Sequence, residues 1–159
     1  MWSHFRKGRE SASFEYNREW LANPYRFALE PLLPLADGTF HTTPGQSVFG
    51  AIGDSTPDRW GRILMRRAEL ARARAANESP RTLSELDYLL RVNDEARQGA
   101  LRFSQDGGQS FCAPPGATPI PPLVNLSRLL HAADHFCRDD ENAEDLRLLL
   151  APGSSLGGA

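Results

Sequence analysis

Between Gly107 and Ser127 the chain carries no charged residue and five prolines: Pro114, Pro115, Pro119, Pro121 and Pro122. Proline lacks a backbone donor and its ring clashes with the preceding turn, so no helix passes through this stretch. In lipid such a backbone would leave its polar groups unsatisfied, which excludes a membrane span at the one place where charge is absent for long. The stretch therefore divides the chain. Residues 107–122 read as a Pro/Gly-rich linker, largely polyproline from Ala113 to Pro122, between residues 1–106 and residues 123–159.

The total of 159 residues allows one ordinary domain or two small subdomains sharing a core. With 40% hydrophobic residues and a formal net charge of -2, the composition is that of a folded protein. The same balance excludes a strongly cationic arm. Cys112 and Cys137 lie far apart without CxxC spacing, which points to a reducing compartment rather than a disulfide scaffold. The basic N-terminus, Met1 to Arg9, lacks the apolar run of a secretory signal. A soluble, cytoplasmic protein without a membrane partner is the expectation. Of 18 basic residues only Lys7 is a lysine, and it lies in an N-terminus that reads as frayed.

Local patterns give the coarse class. Phe14 and Tyr16 alternate with polar neighbours as in a strand, and Asn17 opens a turn. Residues 27–35 are apolar but interrupted by Pro31 and Pro34, which favours an edge strand or extended segment. Asp37-Gly38 marks a tight turn, with Thr39 to Thr42 returning as a short strand. Ser55-Thr56-Pro57-Asp58 is a helix start with a hydroxyl cap, and the helix is predicted over 57–76, stopped by Asn77. Its apolar face carries Trp60, Ile63, Leu64 and Ala71. Thr82 to Glu85 reads as a capping box, followed by Leu83, Leu86 and Leu90 at helical spacing. Gly99 to Phe103 reads as a strand, Asp106-Gly107-Gly108 as a turn, and 123–136 and 143–150 as amphipathic helices. Strands early and helices later make the chain α+β.

The tail Gly153-Ser154-Ser155-Leu156-Gly157-Gly158-Ala159 is the most chemical segment. Glycines and serines let successive backbone N–H groups converge on phosphate oxygens. The same composition equally describes a flexible end. It matches neither GxxxxGK with a following Ser or Thr, nor GxGxxG.

Several blocks in order resemble the HipA family of toxin kinases. They are Phe14-x-Tyr16-x-x-x-Trp20-Leu21, Leu32-Leu33-Pro34-Leu35, and Phe49-Gly50-Ala51-Ile52-Gly53-Asp54-Ser55-x-Pro57-Asp58-x-Trp60-Gly61-Arg62. Leu86-Asp87-Tyr88-Leu89-Leu90, Gly99 to Phe103, and Leu149-Leu150-x-Pro152 running into the Gly-rich tail complete the set. The resemblance implies a small antiparallel sheet with packed helices in 1–106, an N-terminal subdomain, then the start of a kinase-like core in 123–159. It further implies a serine/threonine protein kinase of a toxin–antitoxin system that phosphorylates components of translation and is paired with a DNA-binding HipB-like antitoxin. DNA would be met only through that antitoxin.

The family's glycine-rich loop continues as Ala-Arg-Pro-Lys, and the first of these corresponds to Ala159. The ATP-gripping lysine, the catalytic aspartate and the magnesium-binding aspartate then belong to a C-terminal part. Phosphoryl transfer needs a metal and a base besides a loop. The expectation is a chain from a truncated or split gene, inactive alone, with ATP and Mg2+ as cofactors only of a full-length relative. Gly153 to Ala159 would be a partial nucleotide loop, and Ser155 a regulatory phosphoacceptor whose added charge ejects the loop. The other reading is a free-standing N-subdomain that inhibits a separate HipA-like kinase.

Other constellations are weaker. Asp54 and Asp58 suit a turn and a helix N-terminus better than acid–base chemistry. Arg59, Arg62, Arg66 and Arg67 form a basic group offset by Asp58 and Glu69, an ion-paired face or a partner surface. His131 and His135 are four apart on one helix but lack a third ligand. No catalytic or metal-binding residue is expected.

Overall fold

The computed structural model describes residues 2–6, 9–92, 94, 97, 99–111 and 126–150. Its fold is α+β, in two compact units, Met1–Asp54 and Ser55–Ala159.

The first unit holds a three-stranded antiparallel sheet of β1 (Trp2–Arg6), β2 (Arg9–Phe14) and β3 (Phe40–His41), in that order. The register pairs Trp2 with Ser13 and Arg6 with Arg9, so Trp2–Arg6 is a strand where the sequence reads as frayed. β3 is short, but Thr42 prolongs it: its N–H donates to the Ala12 carbonyl at 3.0 Å, and its Oγ1 accepts from the Ala12 N–H at 3.0 Å. β2 stops at Phe14. Asn17, expected to open a turn, instead caps α1 (Arg18–Ala22), its side chain accepting from the Glu19 N–H at 2.8 Å.

Tyr16 organises this unit. Its hydroxyl donates to the Leu33 carbonyl at 2.8 Å and accepts from the Leu29 N–H at 3.1 Å. Its ring meets Phe14 edge-on at 4.8 Å between centroids. The expected strand over 27–35 is absent. Pro31 and Pro34 supply no ladder donors, and the backbone turns instead, with Leu33 N–H donating to the Glu30 carbonyl at 3.0 Å. The turn drives Leu33 into full burial. Gly38 sits at φ +122°, where a Cβ would be strained, and bends the chain back to β3. Glu30 accepts from the Ala51 N–H at 2.6 Å, at the start of α2 (Gly50–Gly53).

The second unit is helical: α3 (Arg59–Ala75), α4 (Glu85–Arg91), α5 (Leu126–Cys137) and α6 (Ala143–Leu150). α3 begins two residues later than predicted and is capped by Asp58, not a hydroxyl. The Asp58 side chain accepts from the Gly61 N–H at 2.8 Å, while Ser55 is buried upstream. At its other end Asn77 adopts φ 54°, Glu78 N–H donates to the Ala73 carbonyl, and Asn77 N–H donates to that of Arg74. This is a Schellman closure in which asparagine tolerates the left-handed turn. α5 ends the same way at Asp139, φ 60°, with Asp140 N–H donating to the His135 carbonyl.

The capping box of α4 lies two residues beyond the expected one. It pairs Ser84 with Asp87, each side chain accepting from the other's backbone N–H. Gly99 to Phe103 forms no strand, because no partner strand lies beside it among the described residues.

The main core joins Leu64 of α3 with Ala132 and Phe136 of α5 and Leu146 and Leu149 of α6. Trp60, Ile63 and Ala71 pack against it, which are the apolar positions expected of α3. Trp60 is half-buried and meets the Phe136 ring at 4.6 Å. A smaller cluster joins Met65 to Leu83, Tyr88 and Val92. Leu64 is fully buried at the centre. Leu64→Ala should lower the unfolding free energy by about 2–5 kcal/mol in urea titration, whereas the same change at exposed Leu70 should stay within about 0.5 kcal/mol.

Candidate functional site

The residues that carry the family resemblance most densely, Asp54 to Arg62, lead into and form the first turn of α3. Two arginines wire this stretch to the rest of its unit. Arg62 reaches from α3 to α4 and donates to both carboxylate oxygens of Glu85, in a bidentate pair with Nη2 at 2.7 Å. Its Nε donates to the Pro57 carbonyl at 3.1 Å, and the guanidinium lies over the Tyr88 ring at 4.8 Å. The Glu85 hydrogen bond raises the Arg62 pKa against the opposing effect of burial. Arg97 is buried, donates to the carbonyls of Ser55, Leu89 and Val92, and lies over Phe103 at 4.6 Å. It ties the chain before α3 to the end of α4.

About two turns beyond Arg62 on α3 is Glu69, 2% exposed. It accepts from Arg72 at 2.8 Å and from Arg91 of α4 at 3.2 Å, with Arg81 at 3.9 Å. The Arg72 hydrogen bonds outweigh burial, Arg91 adds to them, and the carboxyl is held at about 2 instead of 4.5. A buried carboxylate with guanidinium partners is a structural clasp between α3 and α4. Nothing in its spacing distinguished it from the surface ion pairs expected of an arginine-rich helix. Arg97 gave no periodic signal at all.

A second polar clasp joins α5 to α6. Asp145 Oδ2 accepts from the Asn142 N–H at 3.1 Å and lies 2.9 Å from His135 Nδ1. Asn142 Oδ1 accepts in return from the Asp145 N–H at 3.0 Å, so the carboxylate both closes a capping box and holds the histidine. The hydrogen bond to Asp145 raises the His135 pKa, with Asp140 and Asp134 adding to it against burial. Asp145 is lowered, first by the Asn142 backbone and then by His135. His135 is thus held by Asp145 through Nδ1. Among the described residues no cluster of three or more His, Cys, Asp or Glu could hold a metal.

Of the expected basic group, Arg62 is paired with Glu85, and Arg67 with Asp139 at 2.7 Å and Glu141 at 2.8 Å. Arg59 and Arg66 remain exposed. Asp58 is a cap and Asp54 the residue closing α2, so neither takes an acid–base geometry. The loop Gly153, Ser154, Ser155, Leu156, Gly157, Gly158 and Ala159 lies outside the described residues, as do Lys7, Cys112 and the linker from Ala113 to Pro122. No helix among the described residues is long and apolar enough to cross a membrane.

No family model, no curated protein and no solved structure matches the chain.

The two clasps have opposite pH signatures. Because the Glu69 carboxyl is depressed, its contribution is complete above pH 4.5 and fades as pH falls toward about 2. Glu69→Gln should therefore cost about 3 kcal/mol near neutral pH, and the gap to wild type should close on acidification, read from urea midpoints. His135 is raised, so its contribution is complete below pH 6.5 and is lost as pH rises through the folded-state value. The stability gap between wild type and His135→Gln should accordingly be widest at mildly acidic pH and narrow on the alkaline side.

Proposed function

We propose that this chain is the N-terminal portion of a HipA-like serine/threonine kinase of a toxin–antitoxin system, that it scaffolds the kinase core, and that it contacts a HipB-like antitoxin. The observation that carries the reading is the use made of the resembling block. Asp58 caps α3, Arg62 clamps α4, and Trp60 packs on Phe136, so the residues that match the family's densest motif are those on which this unit is assembled. α6 supports it too. Leu146 and Leu149 anchor that helix in the main core, and it runs to Leu150, just before Pro152 and the glycine-rich segment.

An interaction role has its own support in the first unit. Tyr25 is 86% and Phe27 60% exposed, with Leu32 also exposed nearby in sequence. Such apolar side chains at the surface suit a protein partner. Phosphoryl transfer draws on a gripping lysine, a metal site and a base. In this reading those groups belong to the C-terminal kinase portion, and ATP with Mg2+ binds productively only when that portion is present.

The test combines the 159-residue chain, a HipB-like protein and a C-terminal HipA-like kinase portion. Size-exclusion chromatography should show the chain in a stable complex with at least one of the two. The chain alone should transfer no radiolabel from ATP and Mg2+ to any acceptor. Label transfer by the isolated chain, or its failure to bind either partner, would refute the proposal.

A further inference from the structure

α3 shows three sides. Leu64 and Trp60 face the main core, Glu69 and Arg62 face α4, and a third side meets solvent. Six arginines lie on this helix, and they divide sharply. Arg62, Arg67 and Arg72 are each held by carboxylates of their own unit. The side chains of Arg59, Arg66 and Arg74 are exposed and take no partner among the described residues. At 100° per residue these three fall within an arc of about 80°, spread over about 22 Å of helix. Leu70, 41% exposed, lies four residues from both Arg66 and Arg74 in the same arc.

We infer that this side of α3 docks an acidic amphipathic helix of a partner protein. A helix bearing carboxylates every seven residues presents them about 10.5 Å apart, the rise that separates Arg59 from Arg66. Arg66 and Arg74 are separated by about 12 Å, within reach of the same ladder with long side chains. Leu70 gives the partner's apolar residue a place between the charges. Because the three guanidiniums are uncommitted, a partner carboxylate displaces water and breaks no existing ion pair.

Other occupants fit less well. Three phosphate contacts on a chain of net charge -2 are few for a nucleic acid, and the aromatic ring of α3, Trp60, is turned to Phe136 and not available for base stacking. A lipid surface asks for an apolar face, and Leu70 is the one exposed large hydrophobic residue of this helix. Among the described residues, the longer helices of a second copy already hold their carboxylates in ion pairs: Glu85 with Arg62, Asp87 with Arg81, Asp134 with Arg138, Glu144 with Arg128, and Asp145 with His135. The inference does not depend on the kinase reading, and failure to bind a HipB-like protein leaves it standing.

The test uses a labelled synthetic helical peptide of about three heptads, with glutamates at seven-residue spacing and a leucine midway between them. Fluorescence anisotropy should show binding that weakens as salt rises from about 50 to 200 mM. The combined change Arg59→Gln, Arg66→Gln and Arg74→Gln should weaken it about tenfold, with an unaltered thermal melt by circular dichroism. Leu70→Ala should weaken the helical peptide about threefold and leave a scrambled peptide of equal charge unaffected. The inference fails if the wild-type chain does not bind the peptide, or if the triple variant binds it equally. It fails as well if the scrambled peptide or a DNA duplex binds as tightly.

Discussion

The second unit depends on α3 meeting two different kinds of neighbour at once. On one side Leu64 enters an apolar cluster with Phe136, Leu146 and Leu149, which is non-directional and tolerates small rotations of the helix. On another side Glu69 and Arg62 meet α4 through paired charges, which are directional and fix that rotation. Neither alone would suffice. Apolar packing supplies the stability, while the Arg62–Glu85 fork and the Glu69 clasp select one register of α3 against α4. The remaining features, including the exposed arginine side, follow from that fixed orientation.

The helices were legible in the sequence because their signals are local. Trp60, Ile63, Leu64 and Ala71 recur at helical spacing and all reach the main core, and Asn77 closes α3 where expected. The helix over 143–150 has the bounds that its spacing predicts. The sequence is ambiguous where two residues compete for one local task. Both Ser55 and Asp58 can cap, and Asp58 prevails because its carboxylate lies three residues before the Gly61 N–H that it accepts. Likewise Thr82 and Ser84 both head a capping-box pattern, and Ser84 is selected by Asp87, whose oxygen returns to the Ser84 N–H.

Strands were harder, since a strand is defined by its partner and not by its own residues. Gly99 to Phe103 has alternating character but no neighbour to pair with among the described residues, and its side chains serve Arg97 and Asp94 instead. β1 shows the converse. Its sequence reads as a basic terminus, yet pairing with β2 over five positions makes it a strand. The site was less legible still. Glu69 and Arg97 owe their importance to burial, which depends on α4 folding back on α3, and no spacing along the chain encodes that.

The preference for arginine over lysine takes on a different meaning in this light. From the sequence, a single lysine among 18 basic residues speaks to phosphate binding. In the structure it speaks to folding. Arg62 grips Glu85 and covers Tyr88, Arg67 grips Glu141 and covers Phe136 at 4.0 Å, and Arg102 grips Asp94 and covers Phe111 at 3.8 Å. Each guanidinium makes an edgewise ion pair and a facewise ring contact together, which the compact ammonium of lysine cannot do. Arg97 extends the pattern to backbone, with carbonyls at its edge and Phe103 at its face. The helical unit thus uses planar cations as packing groups beside its buried leucines. Arg59, Arg66 and Arg74 of α3 depart from this rule, as does Arg147 of α6, but these three share one side of a single helix, and that grouping is what marks the side for a partner.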